Sequence, residues 1–546
     1  MKKALSILLA IMLLLSCLTA CGGTESTGDP ATEAMGETSA NNKTEATAEP
    51  TSVTVALTSQ WKSLNPFTST SQGLQPLYNA IFDVMVTYDS ENKIIPMLAE
   101  SWTVSDDGLV YTVKIREGVK WHDGEDVTAY DIEFSAILNA DPNVPSNATR
   151  SYSAYYVGTD ATGMANGEEY GVVALDEYTV QYTLKQPIGE NMLLSCMPPV
   201  LPKHLLEDLD VTQIDTWEFW NHPVGCGPWV YESDVLGTEA VLTANPDYYM
   251  GQPAIDKLII KYYNANELLA GLMSGDIDMC FGGLPLADYE MAKAVDGLVT
   301  AALDEGQYCY MTMDLNMDYL QDPDVRRAFE MAIDKQYMLN SLYGGYGEVI
   351  ASPYSSACEY IDPSIQSVYD PEAAKQLLID AGWDFDRVLL CAYSADRTGL
   401  AGSAPILLQQ MLGEIGVKVE FYEVDYITMM QEMHDGHSFD FSFMGGSNDV
   451  KRPYFAASQY NPDVYWQWSH LKDYSYYEVL SSTLDMTDFN EICAAYRTFQ
   501  QMQMEDPPYI WIAQTDTLMA YNGRIQNVEL HNSSMVPWNT WEWTVE

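Results

Sequence analysis

Residues 98–135 constrain the fold of this chain more than any other segment. Trp102 and Val104, and then Val110 and Thr112, recur at the period of two that is expected of β-strands. An Asp-Asp-Gly turn signal separates the two runs. The segment therefore begins with a β-hairpin.

A helix is predicted shortly after this hairpin. Thr128 precedes Asp131 by three residues, which is the spacing of a helix-capping box. Strands alternate with helices in both halves of the chain, so the predicted fold class is α/β. The apolar face of the predicted helix consists of Ile132, Phe134, Ile137 and Leu138.

The same segment resembles the bacterial oligopeptide- and dipeptide-binding proteins (extracellular solute-binding protein family 5), the large solute-binding lipoproteins of ABC importers. The resemblance is carried by the ordered motifs LAESW, SDDGL, REGVKWHDGE and VTA. Further motifs follow in family order, so the resemblance covers residues 54 to 530. They are PVGCGPW at 223–229, ANPDYY at 244–249, SGDID at 274–278 and AAKQLL at 373–378.

This resemblance implies a two-lobed fold of the periplasmic-binding-protein type (type II, large peptide-binding cluster) with an extra inserted domain. Lobe one is expected to comprise residues 52–86, 189–309 and 510–546. The inserted domain is expected at 87–188 and lobe two at 310–509. A ligand is expected to bind between the lobes, which close on it by a hinge motion.

The N-terminus carries a targeting signal. Two lysines precede an apolar run at 4–15, which is too short to span a bilayer as a permanent helix. The following Leu-Thr-Ala-Cys resembles a bacterial lipobox, which implies a signal peptide at 1–20 and lipidation of Cys21. The alternative is an ordinary cysteine at the end of a signal peptide. Residues 21–51 contain few large apolar side chains and are predicted to form a disordered tether.

Length and charge narrow the class of protein further. A chain of 546 residues is long enough for two or three lobes. The formal net charge is -52, from 78 acidic and 26 basic residues. Nucleic acids and anionic membranes require a basic face, so neither is expected as a partner.

Cysteine spacing indicates neither a zinc site nor a disulfide framework. Beyond Cys17 and Cys21, the cysteines show no CxxC pair and no Cys/His cluster. Most are expected to be buried thiols. They are Cys196, Cys226, Cys280, Cys309, Cys358, Cys391 and Cys493.

No cofactor motif or catalytic constellation is recognisable, so the chain is not expected to be an enzyme. His434 and His437 flank an Asp-Gly turn and are either metal ligands or exposed loop histidines. Asp314 opens a sequence that begins like a calcium loop but lacks the glycine and the final acidic residue of such loops. Neither pattern predicts a metal site.

The candidate ligand contacts lie at the end of a predicted strand. In oligopeptide-binding relatives the corresponding segment enters the cleft, and an aspartate there pairs with the α-ammonium of the peptide; this aspartate corresponds to Asp449. Alternatively, Asp449 is a solvated loop residue. Gly446 stands where relatives have a pocket tryptophan, which implies a roomier pocket or an atypical ligand. Ser447, Asn448 and Arg452 offer polar contacts, and Arg452 could face a carboxylate.

Tyr156 is one further candidate, since it falls near a cleft tyrosine of the relatives. The chain contains 37 tyrosines, so a place in the core or on the surface is equally consistent with the sequence.

The resemblance implies a lipid-anchored receptor on the extracytoplasmic face of the cell membrane. As a monomer, it would capture a peptide without transforming it and deliver it to ABC permease subunits. One alternative is the same fold with another ligand: a nickel chelate, an opine, an oligosaccharide, or a signalling peptide that is sensed without uptake. The other alternative is a secreted hydrolase.

Overall fold

The computed structural model describes residues 50–68, 72–89, 93–145, 147–160, 162–188, 197–394, 399–435, 438–447, 453–463, 468–486, 488–530 and 539–546. The predicted signal peptide, Cys21 and nearly all of the predicted tether lie outside these residues. The part from Pro50 to Glu546 forms one unit, and the following description concerns that unit.

The strands are distributed over the whole unit. They are β1 (Ser52–Leu57), β2 (Val86–Tyr88), β3 (Ile94–Pro96), β4 (Ala99–Val104), β5 (Val110–Ile115), β6 (Val172–Asp176), β7 (Thr179–Thr183), β8 (Trp229–Val235), β9 (Glu239–Ala244), β10 (Lys257–Tyr262), β11 (Met279–Cys280), β12 (Leu298–Met313), β13 (Gly347–Val349), β14 (Val388–Tyr393), β15 (Lys418–Glu423), β16 (Phe441–Ser447), β17 (Tyr509–Asn522), β18 (Ile525–Gln526) and β19 (Thr544–Val545).

Helices alternate with these strands, as the α/β class predicts. They are α1 (Gln75–Phe82), α2 (Ala129–Ala140), α3 (Lys203–Leu206), α4 (Leu268–Ser274), α5 (Leu286–Ala292), α6 (Pro323–Ala332), α7 (Lys335–Tyr343), α8 (Pro371–Asp380), α9 (Gly399–Glu414), α10 (Tyr426–Asp435), α11 (Ser475–Ser482) and α12 (Phe489–Glu505).

One mixed sheet of eleven strands connects most of these elements. Its order is β15-β14-β16-β12-β17-β11-β1-β10-β9-β8, and β13 pairs with β17. Parallel pairing joins β1 to β10 and β11, and β14 to β15 and β16. β4, β5, β7 and β6 form a separate antiparallel sheet of four strands.

Two long strands run through the centre of the large sheet. β12 has 16 residues and β17 has 14. The first part of β12 pairs with the second part of β17, and the remainder of β12 pairs with both β16 and the first part of β17. The register is interrupted between Leu303 and Gln307. These two strands therefore connect the two halves of the sheet, and we call them the crossing strands.

The buried side chains form separate clusters along the chain. The lobe-one core surrounds β1, β9 and β10, the lobe-two core surrounds the second part of β12 and the helices α6 to α9, and the inserted-domain core lies on the four-stranded sheet. Together with the sheet order, this arrangement agrees with a two-lobed α/β fold. Representative members are Val53, Leu242 and Ile260 in the first core, Met311, Phe329 and Leu408 in the second, and Tyr111, Val113 and Val180 in the third.

The hairpin predicted at residues 98–135 is present. β4 and β5 pair antiparallel, and Gly108 in the connecting turn has a φ of 70°. Tyr111, Val113 and Ile115 are buried, whereas Val104 is 41% exposed. The hairpin was thus predicted correctly, but Val110 and Thr112 of the predicted pattern are only partly buried, and the residues of β5 that alternate with them pack in the core. Val104 pairs with Tyr111 and lies on the same face of the sheet as this buried residue.

The helix after the hairpin begins as predicted, but its buried face differs from the prediction. The Thr128 backbone N–H donates to Oδ2 of Asp131 over 2.8 Å, which completes the capping box. Ile137 was expected in the apolar face but is 49% exposed. Ala136, the residue before Ile137, is buried instead and lies on the face of the helix that contacts the sheet.

His122 joins the inserted domain to the PVGCGPW segment. The Gly225 N–H donates to His122 Nδ1 over 3.2 Å, and His122 Nε2 lies 3.0 Å from the Gly227 carbonyl oxygen. Both contacts are made when the imidazole is neutral and carries its proton on Nε2. Burial lowers the pKa of His122 to about 4, which keeps this form at neutral pH.

The prediction of buried thiols is confirmed for most cysteines. Cys226, Cys280, Cys309, Cys358 and Cys391 are free and buried. Cys493 is free and partly exposed. Cys196 lies outside the described residues.

Within the ranges given above, none of the helices is both long enough and apolar enough to span a membrane.

Candidate functional site

A cavity of about 920 Å³ lies where the lobe-one core and the lobe-two core meet. Thr58, after β1, and residues 281–286, after β11, line it from the first lobe. Tyr343 at the end of α7 and Ser403 on α9 line it from the second lobe. The crossing strands form its remaining wall. Its size is that of a ligand site rather than of a packing defect.

Polar and apolar groups contribute about equally to the wall of this cavity, and most of its polar side chains are uncharged. Examples are the side chains of Asn264, Gln307 and Thr515. Among the described lining residues, Asp516 on β17 is the one charged side chain. Burial raises the pKa of the Asp516 carboxyl above its ordinary value, and the negative charge of Asp304 raises this pKa further. The cavity therefore has negative electrostatic character on the side of the crossing strands.

The interrupted register explains why these two carboxyl groups are neighbours. Leu303 pairs with Thr517 and Gln307 pairs with Thr515, so residues 304–306 of β12 stand opposite Asp516 alone. This excess of residues on one strand has the geometry of a β-bulge.

Local hydrogen bonds hold Asp304 in this bulge. The Gly306 N–H donates to Asp304 Oδ1 over 3.1 Å, and Nε2 of Gln514 donates to the same oxygen. Gly306 has a φ of 73°, a backbone conformation that favours glycine. The position of this carboxyl group is therefore set by the turn of its own strand and by Gln514 on the neighbouring β17.

Two consecutive glycines bring main chain to the cavity. Gly282 and Gly283 both have positive φ angles, of 94° and 82°. A Cβ atom at Gly282 would lie 2.3 Å from Oγ1 of Thr58, so a larger residue does not fit there. The cavity thus offers backbone groups here, which is what an extended peptide can use for hydrogen bonding.

Gly446, a predicted site residue, lies on β16 directly across from Tyr308 on β12. A Cβ atom at Gly446 would lie 2.7 Å from the Tyr308 hydroxyl oxygen and 2.8 Å from its Cζ. Gln459 donates to that hydroxyl oxygen through Nε2, and the ring of Trp511 packs edge-on at 5.2 Å. The Tyr308 ring therefore occupies the space next to Gly446. The predicted roomier pocket stays a prediction.

The remaining predicted contacts follow Gly446 in the chain. Ser447 pairs with Gln307 in the sheet, and Gln307 lines the cavity, so β16 ends beside the cavity. Asn448, Asp449 and Arg452 lie outside the described residues. Their contribution to the site stays a prediction.

Tyr156 lies in the core of the inserted domain, which differs from the expectation of a cleft residue. Its side chain has 0% exposure, and its ring packs against the rings of Tyr182 at 5.7 Å and Tyr170 at 6.3 Å. A side chain enclosed in this way does not face a ligand in this structure.

Sequence reasoning missed the residues that line the cavity from the crossing strands. Asp516 and Thr517 follow a run of buried residues in β17, and nothing in their local pattern distinguishes them from other strand residues. The Gly282-Gly283 pair was a usable signal, since consecutive glycines after a short buried strand often mark a close approach of the main chain.

Among the described residues, no group of three or more His, Cys, Asp or Glu side chains is arranged to hold a metal ion. Oδ1 of Asp314 accepts from the Asn316 N–H and lies 2.9 Å from His470 Nδ1. His434 belongs to α10, and His437 lies outside the described residues.

The sheet topology and the cavity between two cores define a two-lobed solute-binding protein. Solved structures share this fold. The ABC transporter substrate-binding protein CtaP from Listeria monocytogenes matches with a TM-score of 0.80 and 21% identity, over 90% of this chain and 99% of that one. The oligopeptide-binding protein AppA from Bacillus subtilis, in complex with a nonapeptide, matches with a TM-score of 0.73 and 23% identity, over 91% and 100% of the two chains.

Sequence comparison defines the family. Residues 93–467 match the profile of the bacterial extracellular solute-binding proteins, family 5 Middle. The curated oligopeptide-binding protein AppA from Bacillus subtilis is 25% identical over 97% of this chain and 96% of its own length. The chain belongs to family 5 of the bacterial extracellular solute-binding proteins.

Proposed function

We propose that this protein captures peptides outside the cytoplasm and delivers them to the permease of an ABC importer. The observation that carries the proposal is the cavity of about 920 Å³ that both lobes line. Its main-chain lining at Gly282 and Gly283 and its uncharged polar side chains suit a ligand that is held through its backbone. A relative, AppA, carries the name oligopeptide-binding protein and has been solved with a nonapeptide.

Capture proceeds without chemical change of the peptide in this proposal, so the protein is a receptor and not an enzyme. Lobe closure needs only that the closed state binds the ligand more tightly than the open state. The bulge at residues 304–306, where the crossing strands lose their register, is the proposed hinge. Asp449 is the proposed anchor for the α-ammonium of the peptide, with Ser447, Asn448 and Arg452 as neighbouring polar contacts.

The proposed location is the outer face of the cell membrane. Lipidation of Cys21 anchors the protein, and residues 22–51 tether the folded unit, which acts as a monomer. A Cys21→Ala variant is then released from the membrane fraction, whereas wild type stays bound to it. Retention of both proteins to the same extent would refute the lipid anchor.

Native mass spectrometry of the purified protein tests the proposed capture of peptides. The expected result is a co-purified set of peptides that is recovered intact after denaturation. Incubation with added peptides then separates binding from hydrolysis, because a receptor returns them unchanged. Consumption of the peptides would favour a secreted hydrolase, and a bound sugar, opine or metal chelate would favour another ligand on the same fold.

A further inference from the structure

The electrostatic character of the cavity originates on the crossing strands. Asp516 is the one charged side chain among the described lining residues, and it is partly buried. Within the described ranges, no lysine, arginine or histidine forms an ion pair with it. A partly buried carboxylate that lacks a positive partner carries a desolvation cost that a bound cation would offset.

A second carboxyl group and an unsatisfied amide oxygen belong to the same part of the sheet. Asp304 stands in the bulge opposite Asp516, and Nε2 of Gln514 donates to it. The Gln514 side chain is only 2% exposed, and its Oε1 accepts no hydrogen bond from any described residue. Buried acceptors are normally paired, so this amide oxygen, next in the strand to the cavity-lining Thr515, lacks a donor.

We propose that Asp516, with Asp304 and Gln514 behind it, forms a subsite for a cationic side chain of the captured peptide. The ligand class is peptides that contain lysine or arginine. An ammonium group has three N–H donors, a guanidinium has five, and neither has an acceptor, so both match the Asp516 carboxylate, which only accepts.

This subsite rests on the proposed function, since it concerns which peptides the cavity takes. It uses other residues than the proposed α-ammonium anchor: Asp516 lies within β17, which β12 separates from β16 in the sheet, whereas Asp449 lies outside the described residues.

Paired peptide sets test the subsite on the full-length protein. One set consists of tetra-alanine peptides in which each position in turn is replaced by lysine, and the matched set carries norleucine, which has the same stem without the ammonium group. Dissociation constants come from isothermal titration calorimetry. We expect one lysine peptide to bind wild type roughly tenfold or more tightly than its norleucine partner. D516N should abolish this preference and leave norleucine binding unchanged.

Control proteins make the outcome decisive. D106N removes one exposed carboxylate of the inserted domain and should keep the full lysine preference. D304N is a second test variant, for use if D516N does not fold. It should reduce the lysine preference. Binding of both peptide sets without a lysine preference, or equal weakening of both sets by D516N, would overturn the subsite and leave the proposed function standing. If no peptide of either set binds to wild type, the proposed function fails as well. Saturable binding of Ca²⁺ alone that D516N abolishes would show a metal site instead and overturn the proposal.

Discussion

Tyr308 lies across from Gly446 in the pairing of β12 with β16, and its hydroxyl oxygen is 2.7 Å from the position of a Cβ atom at Gly446. Gln459 and Trp511 hold the tyrosine ring from its other sides. The ring is 7% exposed, and burial raises the pKa of its hydroxyl to about 12. Tyr308 therefore remains neutral and stands where a side chain at position 446 would have to go.

Replacement of Gly446 by alanine should destabilise the protein. The new methyl group forces Tyr308 away from Gln459 and Trp511, and overpacking of this kind costs about 1–3 kcal/mol. Urea unfolding measures the change in the free energy of unfolding. Tyr308→Ala removes the ring and therefore the clash. Gly446→Ala should then lower the free energy of unfolding less in the Tyr308→Ala background than in wild type.

Gly413 provides a matched control for this substitution. It lies near the end of α9 with no atom within 4 Å of its Cβ position. Gly413→Ala should leave stability unchanged or raise it by up to about 1 kcal/mol, since alanine has the higher helix propensity. Equal effects of the two alanine substitutions would show that Tyr308 is not held in place.

More of the hairpin segment than of the cavity could be predicted from the sequence. Thr128 and Asp131 act within one helix start, so their spacing in the sequence was enough to predict the capping box. The burial of Ala136 instead of Ile137 depends on which way the helix rotates against the sheet, and local periodicity does not define that rotation.

The cavity wall depends on contacts between distant parts of the chain. Asp304 and Asp516 are neighbours because the bulge in β12 that contains Asp304 faces Asp516 on β17. About two hundred residues separate the two positions in the sequence. No local pattern contains that pairing. Tyr156 failed as a cleft residue for the same reason, because the rings that enclose it, Tyr170 and Tyr182, come from other segments of the inserted domain.

Substitution of His122 by alanine should weaken the attachment of the inserted domain. The Gly225 N–H loses its partner, and an unsatisfied buried group costs about 1–3 kcal/mol. The Gly227 carbonyl oxygen loses the His122 contact but still accepts from Nδ2 of Asn245. His204→Ala is the control, since the partly exposed contact between His204 Nε2 and Asp123 Oδ2, over 2.8 Å, should contribute less than about 1 kcal/mol. Differential scanning calorimetry compares the two variants, and an equal drop in midpoint temperature would contradict the buried role of His122.

The same histidine predicts a loss of stability in mild acid. The pKa of His122 is about 4 in the folded protein because of burial, against an ordinary value of 6.5. The unfolded chain binds this proton first, so the contribution of His122 is complete above about pH 6.5 and is lost as the pH falls toward 4. Unfolding free energies measured between pH 7 and 4 should fall by up to about 3 kcal/mol more for wild type than for His122→Ala.

Asp83 predicts the opposite trend. Burial raises the pKa of this carboxyl from 3.8 to about 6, although the Val84 N–H and the Tyr248 hydroxyl donate to it. A raised pKa means that the folded state binds the proton more tightly, so this stabilisation is present at low pH and is lost as the pH rises through 6. Asp83→Asn should therefore be more stable relative to wild type at pH 8 than at pH 5, by about 1–3 kcal/mol.

Asp278 is the control for Asp83, because it is also buried but has a positive partner. Its carboxylate accepts from Arg524 Nε over 2.7 Å and from the Thr54 N–H over 2.9 Å. Asp278→Asn should destabilise the protein at both pH values, since it leaves the guanidinium group of Arg524 without its counter-charge. A gain in stability at pH 8 for both variants would show that general charge reduction, and not burial of Asp83, is responsible.

Asp449→Asn tests the proposed anchor for the peptide amino terminus. A carboxylate that faces a desolvated ammonium stabilises the complex strongly, and removal of such a partner costs about 2–5 kcal/mol, or tens- to thousands-fold in affinity. The variant should therefore weaken binding of peptides with a free amino terminus by such a factor. Binding of the same peptides after acetylation should change little, because they no longer carry the ammonium group. Calorimetric titration of both peptide forms into wild type, Asp449→Asn and the surface control Asp106→Asn measures these differences. An equal loss for free and acetylated peptides would remove Asp449 from the site, and the segment after β16 would then contribute through Asn448 or Arg452 instead.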